Sequence, residues 1–417
     1  MRILHNAKLY TFDAHNTVAN AIVIDDHAPH AGRILFVGDS ETAIAEFGHR
    51  GDRQDMDGAV ILPGLTDAHI HLRAYAEYLQ KVSLFNLSKA ECLTQIAKRA
   101  QETPAGEWVM GHGWNQNNWD GQFPTSAELD DVSPNHPVYL TATSLHAAWA
   151  NTSALKLARI RKETPNPENS IFQKDDAGNL TGILLEGGAM TAVSRHIPRP
   201  TRAQDSQAIR NAQSNLWQMG ITGVHDFDRL RSFRALQDLN LQGELILRVL
   251  KHLPVESLQH AIGIGLQSGY GNDMLRIGSI KVFADGALGP RTAAMLQPYE
   301  VEPENKGLLF IDSEELLEHA QNAAQNGLSM TVHAIGDAAT HEVLKAYRQV
   351  RKFEKDNNLP QFRHRLEHAQ ILHPDHFAEI QALDIITSVQ PIHATSDMDM
   401  ADQYWGARSE NSYAWKK

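Results

Sequence analysis

After residue 60 the chain alternates short apolar runs with amphipathic stretches of helical period. Seven runs read as strands: Leu65 to His71, Ile221 to Asp226, Ile246 to His252, Ile277 to Phe283, Ser329 to Ala334, Arg363 to His368 and Ile385 to Gln390. Helical segments lie between several of them. The clearest spans Ser313 to Asn326, with Leu316, Ala320, Ala323 and Ala324 along one face. Asp312 stands where a cap belongs, Glu315 three residues later closes a capping box, and Gly327 ends the segment. Strand–helix alternation implies a parallel sheet with crossover helices. Seven such units predict an α/β fold, a (β/α)₈-type barrel with one unit unaccounted for.

The first 60 residues follow a different rhythm. Ala21 to Ile24 and Arg33 to Val37 are strand-like, turn residues Gly38 and Asp39 follow, and Leu62-Pro63-Gly64 punctuates the boundary. We assign residues 1–60 to a small β-domain and 61–417 to the barrel. Between the first two barrel strands lie roughly 150 residues, far more than a βα connection requires. An inserted subdomain over about 75–205 is therefore expected, with strand candidates at Trp108 to Gly111 and Pro137 to Thr143.

Composition narrows the classes. At 417 residues, 42% hydrophobic and 21% charged, the chain has the balance of a soluble globular protein. No apolar run approaches the ~18–20 residues of a bilayer span, and Met1 to Asn16 lacks the apolar region of a signal peptide. A cytoplasmic location and no membrane partner are the expectation. A net charge of −12 without a basic stripe argues against nucleic acid. Cys92 is the sole cysteine, so a metal would need His, carboxylate or a modified side chain.

The candidate chemistry sits at strand ends, where barrels of this kind keep their active sites. His69 and His71 close the first strand, and a period of two points both the same way. Lys281 lies near the end of the fourth, His333 ends the fifth and His368 the sixth. One strand-end histidine is ordinarily structural; three such strand ends in one barrel point to a metal site. Lys281 is the odd member, since a buried ammonium beside a dication is unfavourable. Either CO₂ converts its amine to a bridging carbamate, or it pairs with an acid such as Asp285. His225 and Asp226 end the second strand on opposite faces; one of them is a candidate to reach the site, and a helix or strand cap is the equal alternative.

Several motifs carry a resemblance. The run Ile61-Leu62-Pro63-Gly64-Leu65-Thr66-Asp67-Ala68-His69-Ile70-His71 resembles the strand-one signature of the amidohydrolase superfamily. Ile280-Lys281-Val282-Phe283-Ala284-Asp285-Gly286, Val332-His333-Ala334-Ile335-Gly336-Asp337 and Arg365-Leu366-Glu367-His368-Ala369-Gln370 resemble the motifs of its YtcJ-like branch, amidohydrolase family 3. Gly111-His112-Gly113-Trp114, Leu145 to Asn151, Gly182 to Glu186 and Gln390 to His393 fit the same branch. The resemblance spans nearly the whole chain.

It implies a β-sandwich built from both chain ends and one or two divalent metals, most commonly Zn²⁺. His69 and His71 would hold the first metal, His333 and His368 the second, and carboxylated Lys281 would bridge them. Lys281, His333 and His368 are on this view also the catalytic residues. The implied activity is hydrolysis of a C–N bond in an amide, formamide or cyclic amide of a small-molecule substrate by metal-activated water. His112, Trp114, His146 and Glu186 are the substrate-binding candidates; the competing reading makes Trp114, Trp119 and Trp149 core aromatics of the insert.

Superfamily members also carry an aspartate at the end of strand eight. After Gln390 the sequence reads as a loop through Asp397, then a segment from Glu410 to Trp415 resembling the start of the helix after strand seven. Asp397, Asp399 and Asp402 fall in that loop and substitute poorly. The expectation is a truncated member, metal-competent but catalytically impaired, with two unpaired barrel edges that invite aggregation or a homo-oligomer.

Overall fold

The computed structural model describes residues 1–27, 32–119 and 121–413. The chain forms two compact units, residues 1–67 with 216–223, and residues 68–215 with 224–417. Whereas the sequence placed a boundary at 60, the first unit reaches Asp67.

The first unit holds a four-stranded sheet, ordered Arg33–Gly38, Ala21–Asp25, Arg2–His5, Asp52–Asp55, and a three-stranded sheet of Val18–Ala19, Lys8–Tyr10 and Val60–Ile61. Ile3, Ala21 and Val23 pack against Ala43 of the helix Ser40–Phe47. The Asp39 carboxylate caps that helix by accepting the Thr42 N–H at 2.8 Å.

Seven parallel strands form a nearly closed barrel in chain order: Leu65–Ile70, Ile221–Asp226, Arg248–Pro254, Leu275–Phe283, Met330–Ala334, Arg365–His368 and Ile386–Ser388. We number them strands one to seven. All seven sequence expectations fall on these elements, and the end shifts have physical causes. Strand three begins at Arg248 rather than Ile246 because the Gln213 side chain takes the N–H groups of Ile246 and Leu247 at 2.7 and 3.3 Å. Strand one stops at Ile70 because His71 becomes the N-cap of the helix Leu72–Gln80. Strand seven is short because Pro391 starts a helix.

Strand alternation sorts the side chains. Ile280, Val282, Val332 and Leu366 point outward into the main core against Leu316, Ala320 and Ala323 of the helix Ser313–Gln325 and Val343, Leu344 and Tyr347 of the helix Asp337–Asp356. Asp312 caps the first of these, accepting from Glu314 and Glu315 at 3.0 and 2.9 Å. Ser279 and Lys281 point inward.

The insert is a six-stranded sheet ordered Ile171–Lys174, Leu180–Leu185, Ala147–Ala150, Val138–Ala142, Val109–Trp114, Val82–Ser83. The expected strands at 108–111 and 137–143 belong to it. Its helix Lys89–Glu102 carries a full capping box between Ser88 and Glu91.

The C-terminal reading needs correction. Residues Pro391–Trp405 are an α-helix, not a loop, and Gly406–Asn411 is a 3₁₀ turn rather than the start of the next helix. Asp397, Asp399 and Asp402 are therefore helical. Trp415 lies outside the described residues. Proline at the helix start and a run without glycine before Gly406 favour the helix that the sequence reading missed.

Gly336 holds the end of strand five close to a neighbouring chain segment. A Cβ there would lie 1.9 Å from the Ala294 carbonyl oxygen, and its N–H donates to Asp285 at 2.8 Å. Gly336→Ala is expected to lower stability on the order of 3 kcal/mol by forced overpacking. A urea midpoint equivalent to less than about 0.5 kcal/mol of change would show that the segment yields freely.

Candidate metal centre

The inward face of the barrel is unusually polar. At its C-terminal end three imidazoles meet: ring centroids are 4.7 Å apart for His69 and His368, and 4.5 Å for His333 and His368. Each ring is fixed from behind. His69 Nδ1 donates to Glu367 Oε2 at 2.7 Å, His333 Nε2 to the Gly286 carbonyl at 2.8 Å, and His368 Nδ1 to Gln390 Oε1 at 2.6 Å. These bonds set the tautomers, placing the lone pairs on His69 Nε2, His333 Nδ1 and His368 Nε2. His69 is further clamped by Phe227, stacked at 4.0 Å.

Simple alternation does not account for His368. Arg365 and Glu367 already point into the barrel, so the next residue of a regular strand would point out. His368 instead has φ +74° and Ala369 φ +44°. This left-handed kink brings Glu367 and His368 to the same cluster. Such backbone is costly for residues other than glycine and collects at functional sites.

Glu367, fully buried, also receives the Arg365 guanidinium at 2.8 Å. Arg365 reaches on to His225 Nδ1 at 2.6 Å and the Ala68 carbonyl at 3.0 Å. Burial opposes ionisation of Glu367, yet His69 and Arg365 hold it below its ordinary pKa. Of the two residues ending strand two, His225 thus joins this network, whereas Asp226 pairs with buried Lys251 at 2.8 Å and accepts the Leu72 N–H at 2.9 Å.

Lys281 lies just below the imidazoles. Its Nζ sits 5.0 Å from the Phe227 ring and 4.8 Å from the Phe283 ring, buried, with no hydrogen-bond partner among the described residues. Burial lowers its pKa to about 7, against the pull of Glu367. It does not pair with Asp285, which accepts backbone N–H groups from Ala294, Ile335 and Gly336 at 2.8 to 3.0 Å and lies 3.5 Å from His333 Nε2. Burial, aided by the Lys281 charge, pushes His333 down to about 3; burial likewise lowers His368 and His69.

Neutral, tautomer-locked imidazoles with inward lone pairs and a buried lysine nitrogen lacking a partner suit a divalent cation. The donor atoms are not drawn tightly together. Among the described residues, the one trio of His or carboxylate side chains whose ligand atoms all lie within 4.8 Å is Asp25, Asp26 and His27, a largely exposed acidic turn. His71 stands further out, its ring 5.9 Å from His69 and half exposed, with Nδ1 3.4 Å from Asp228.

The insert candidates are arranged otherwise. Trp114 is fully buried, gives its indole N–H to the Leu140 carbonyl at 2.9 Å and packs with Trp119 and Trp149. It is a core aromatic rather than a pocket wall. His112 is buried beneath Tyr78 and Phe85, at ring distances of 4.1 and 5.3 Å. His146 and Glu186 are exposed and bonded to each other at 2.9 Å, in a cleft of ≈ 560 Å³ that Phe123 and Ile171 also line. Leu145 and Glu186 have φ of +62° and +65°.

Sequence reasoning missed Glu367, Gln390 and Phe227 as supports. Glu367 had a signal, since it alternates with Arg365. His393 closes a motif singled out in the sequence but given no role there: the helix Pro391–Trp405 sets its ring 5.7 Å from His368, with Nδ1 donating to Asp397 Oδ2 at 3.1 Å.

Comparison with known proteins bears on this arrangement. The amidohydrolase family profile matches residues 53–417. The chain belongs to the amidohydrolase family. It is 29% identical to the putative amidohydrolase YtcJ of Bacillus subtilis (strain 168), over 99% of this chain and 77% of that one. It is 28% identical to the N-substituted formamide deformylase of Arthrobacter pascens, over 88% of this chain and 68% of that one. A crystal structure of an uncharacterized metal-dependent hydrolase from Pyrococcus furiosus superposes with TM-score 0.79 at 27% identity, covering 99% of this chain and 81% of the other. Family membership and this fold neighbour support a hydrolase. Among the described residues no helix is long and apolar enough to cross a membrane.

Proposed function

We propose that this amidohydrolase cleaves the C–N bond of a small amide, formamide or cyclic amide by attack of water at a divalent metal centre. The observation that carries the reading is the meeting of His69, His333 and His368 beside the unpartnered Lys281 nitrogen, each ring locked from behind by an acceptor. His69, His333 and His368 would hold the metal, with His71 one ring further out. Lys281 would join them as a carbamate, which replaces an unfavourable buried ammonium with two oxygen donors. Nitrogen and oxygen donors without thiolate suit zinc. When bound, the metal supplies a water of lowered pKa and polarises the scissile carbonyl.

The chain's own residues supply the rest. Glu367, Gly286 and Gln390 keep the imidazoles in one tautomer, so no ring reorganises as charge develops. Phe227 and Phe283 keep bulk water from the lysine. Resemblance to the formamide deformylase supports an amide-type substrate.

The test is a hydrolysis screen of metal-reconstituted protein against formamides, linear amides and cyclic amides, with metal content measured in parallel. Turnover on at least one class above the metal-free control is expected, and a rate of about 1 s⁻¹ or faster would overturn the expectation of a catalytically impaired member. One or two equivalents of metal with no turnover on any class would overturn the hydrolytic reading and leave a metal-binding scaffold. Sub-stoichiometric metal would overturn the site itself.

A further inference from the structure

On strand four, Ser279, Lys281 and Phe283 share the inward face, rising in that order toward the barrel mouth. Ser279 is buried, Lys281 is buried and Phe283 is 48% exposed. The Phe283 ring touches both parts of the candidate centre: it lies 5.1 Å from the His333 ring and 4.8 Å from Lys281 Nζ.

The segment that follows returns along this strand end. Leu309 bridges Asp285 in antiparallel fashion and the Phe310 N–H donates to the Ala284 carbonyl at 2.8 Å. Residues facing each other across an antiparallel bridge share a side, and the side alternates along the chain. Leu309 therefore stands on the side of Phe283. Leu308, Leu309 and Phe310 are 55%, 43% and 54% exposed. Three consecutive exposed apolar residues are unfavourable unless something covers them in use.

We infer that Phe283 and Leu309 form the specificity wall of the site, seating a bulky apolar substituent of the amide substrate. This deepens the hydrolytic reading and rests on it. The occupant follows from position. A group held by a metal beside His333 would project its substituent over the Phe283 ring, the exposed apolar surface in contact with the cluster. Burying such a substituent favours the bulky substrate by on the order of 10- to 100-fold over its one-carbon counterpart.

Two measurements test it on the metal-reconstituted full chain. The first is calorimetric binding of acetohydroxamate and phenylacetohydroxamate, chelating probes that need no turnover. Phenylacetohydroxamate is expected to bind 10- to 100-fold tighter, and Phe283→Ala and Leu309→Ser each to cut that ratio at least fivefold. Binding of neither probe would strike the metal site and with it the hydrolytic reading. Equal binding of both, or variants that keep the full ratio, would overturn the specificity wall alone. The second compares kcat/KM for formamides bearing the apolar group on nitrogen with N-methyl amides bearing it on the acyl carbon. A preference on either side supports the wall and tells which side faces it; none on either side overturns it. If Phe283→Ala fails to fold, Phe283→Leu serves, with a smaller drop in the ratio.

Discussion

His368→Ala is expected to remove bound metal and with it hydrolysis, a fall in kcat/KM on the order of 10³-fold or more. Three observations set the size. His368 is the ring both His69 and His333 touch, so it holds the middle of the cluster. Its lone pair is aimed by Gln390 at 2.6 Å. Its backbone is kinked to φ +74° to bring it there, strain of the kind that collects at functional sites. Loss of metal assistance forfeits several kcal/mol of transition-state stabilisation, and each 1.36 kcal/mol is tenfold. Metal analysis and kinetics on the same preparation decide it. A His368→Ala protein retaining its full metal equivalents would remove His368 from the centre. Gln390→Ala should produce a milder effect, about 10- to 100-fold in metal affinity, because it disturbs only orientation.

The barrel was legible because its signals are local. Each strand is a short apolar run flanked by turn residues, and strand order equals chain order, so alternation alone was enough to place all seven. The strand-end residues followed from the same periodicity. Two kinds of information lay beyond it. Long-range supports such as Glu367 on His69 join residues 298 positions apart, and nothing local marks that pairing. Backbone exceptions also escape periodicity. The left-handed turn at His368 reverses the face that alternation assigns, and the sequence reading singled out His368 by its position at the strand end rather than by its direction. The helix Pro391–Trp405 is a third kind of miss. Its polar residues, among them Thr395, Ser396, Asp397 and Asp399, favour loops on propensity, and tertiary contact of Ala401 and Trp405 with the cluster around Met295 and Tyr299 outweighs that preference.

Lys281→Met is expected to split stability from function. In metal-free protein the wild-type Nζ is buried without a hydrogen-bond partner among the described residues, between the Phe227 and Phe283 rings. An unsatisfied buried donor costs about 1–3 kcal/mol, and more when charged. Methionine fills a similar volume without that cost, so the metal-free variant should be more stable by about that amount at pH 6. The pH dependence has a definite sign. Burial lowers the folded pKa from 10.5 to about 7, so between those values the unfolded chain carries the proton that the folded chain has shed. Stability then rises with pH across that window for the wild type and not through this group for the variant. The variant's advantage is therefore largest below pH 7 and shrinks from pH 7 toward pH 10. Denaturation of both chelator-treated proteins at pH 6, 7, 8 and 9 measures it. Metal binding should move the opposite way: the variant loses at least one equivalent, and in Lys281→Ala short carboxylic acids should restore part of it by occupying the place of the carbamate. An advantage that stays constant from pH 6 to 9 would mean that the folded lysine keeps its proton throughout, as a solvated ammonium does. Undiminished metal content in Lys281→Met would leave its burial among the imidazoles a matter of packing alone.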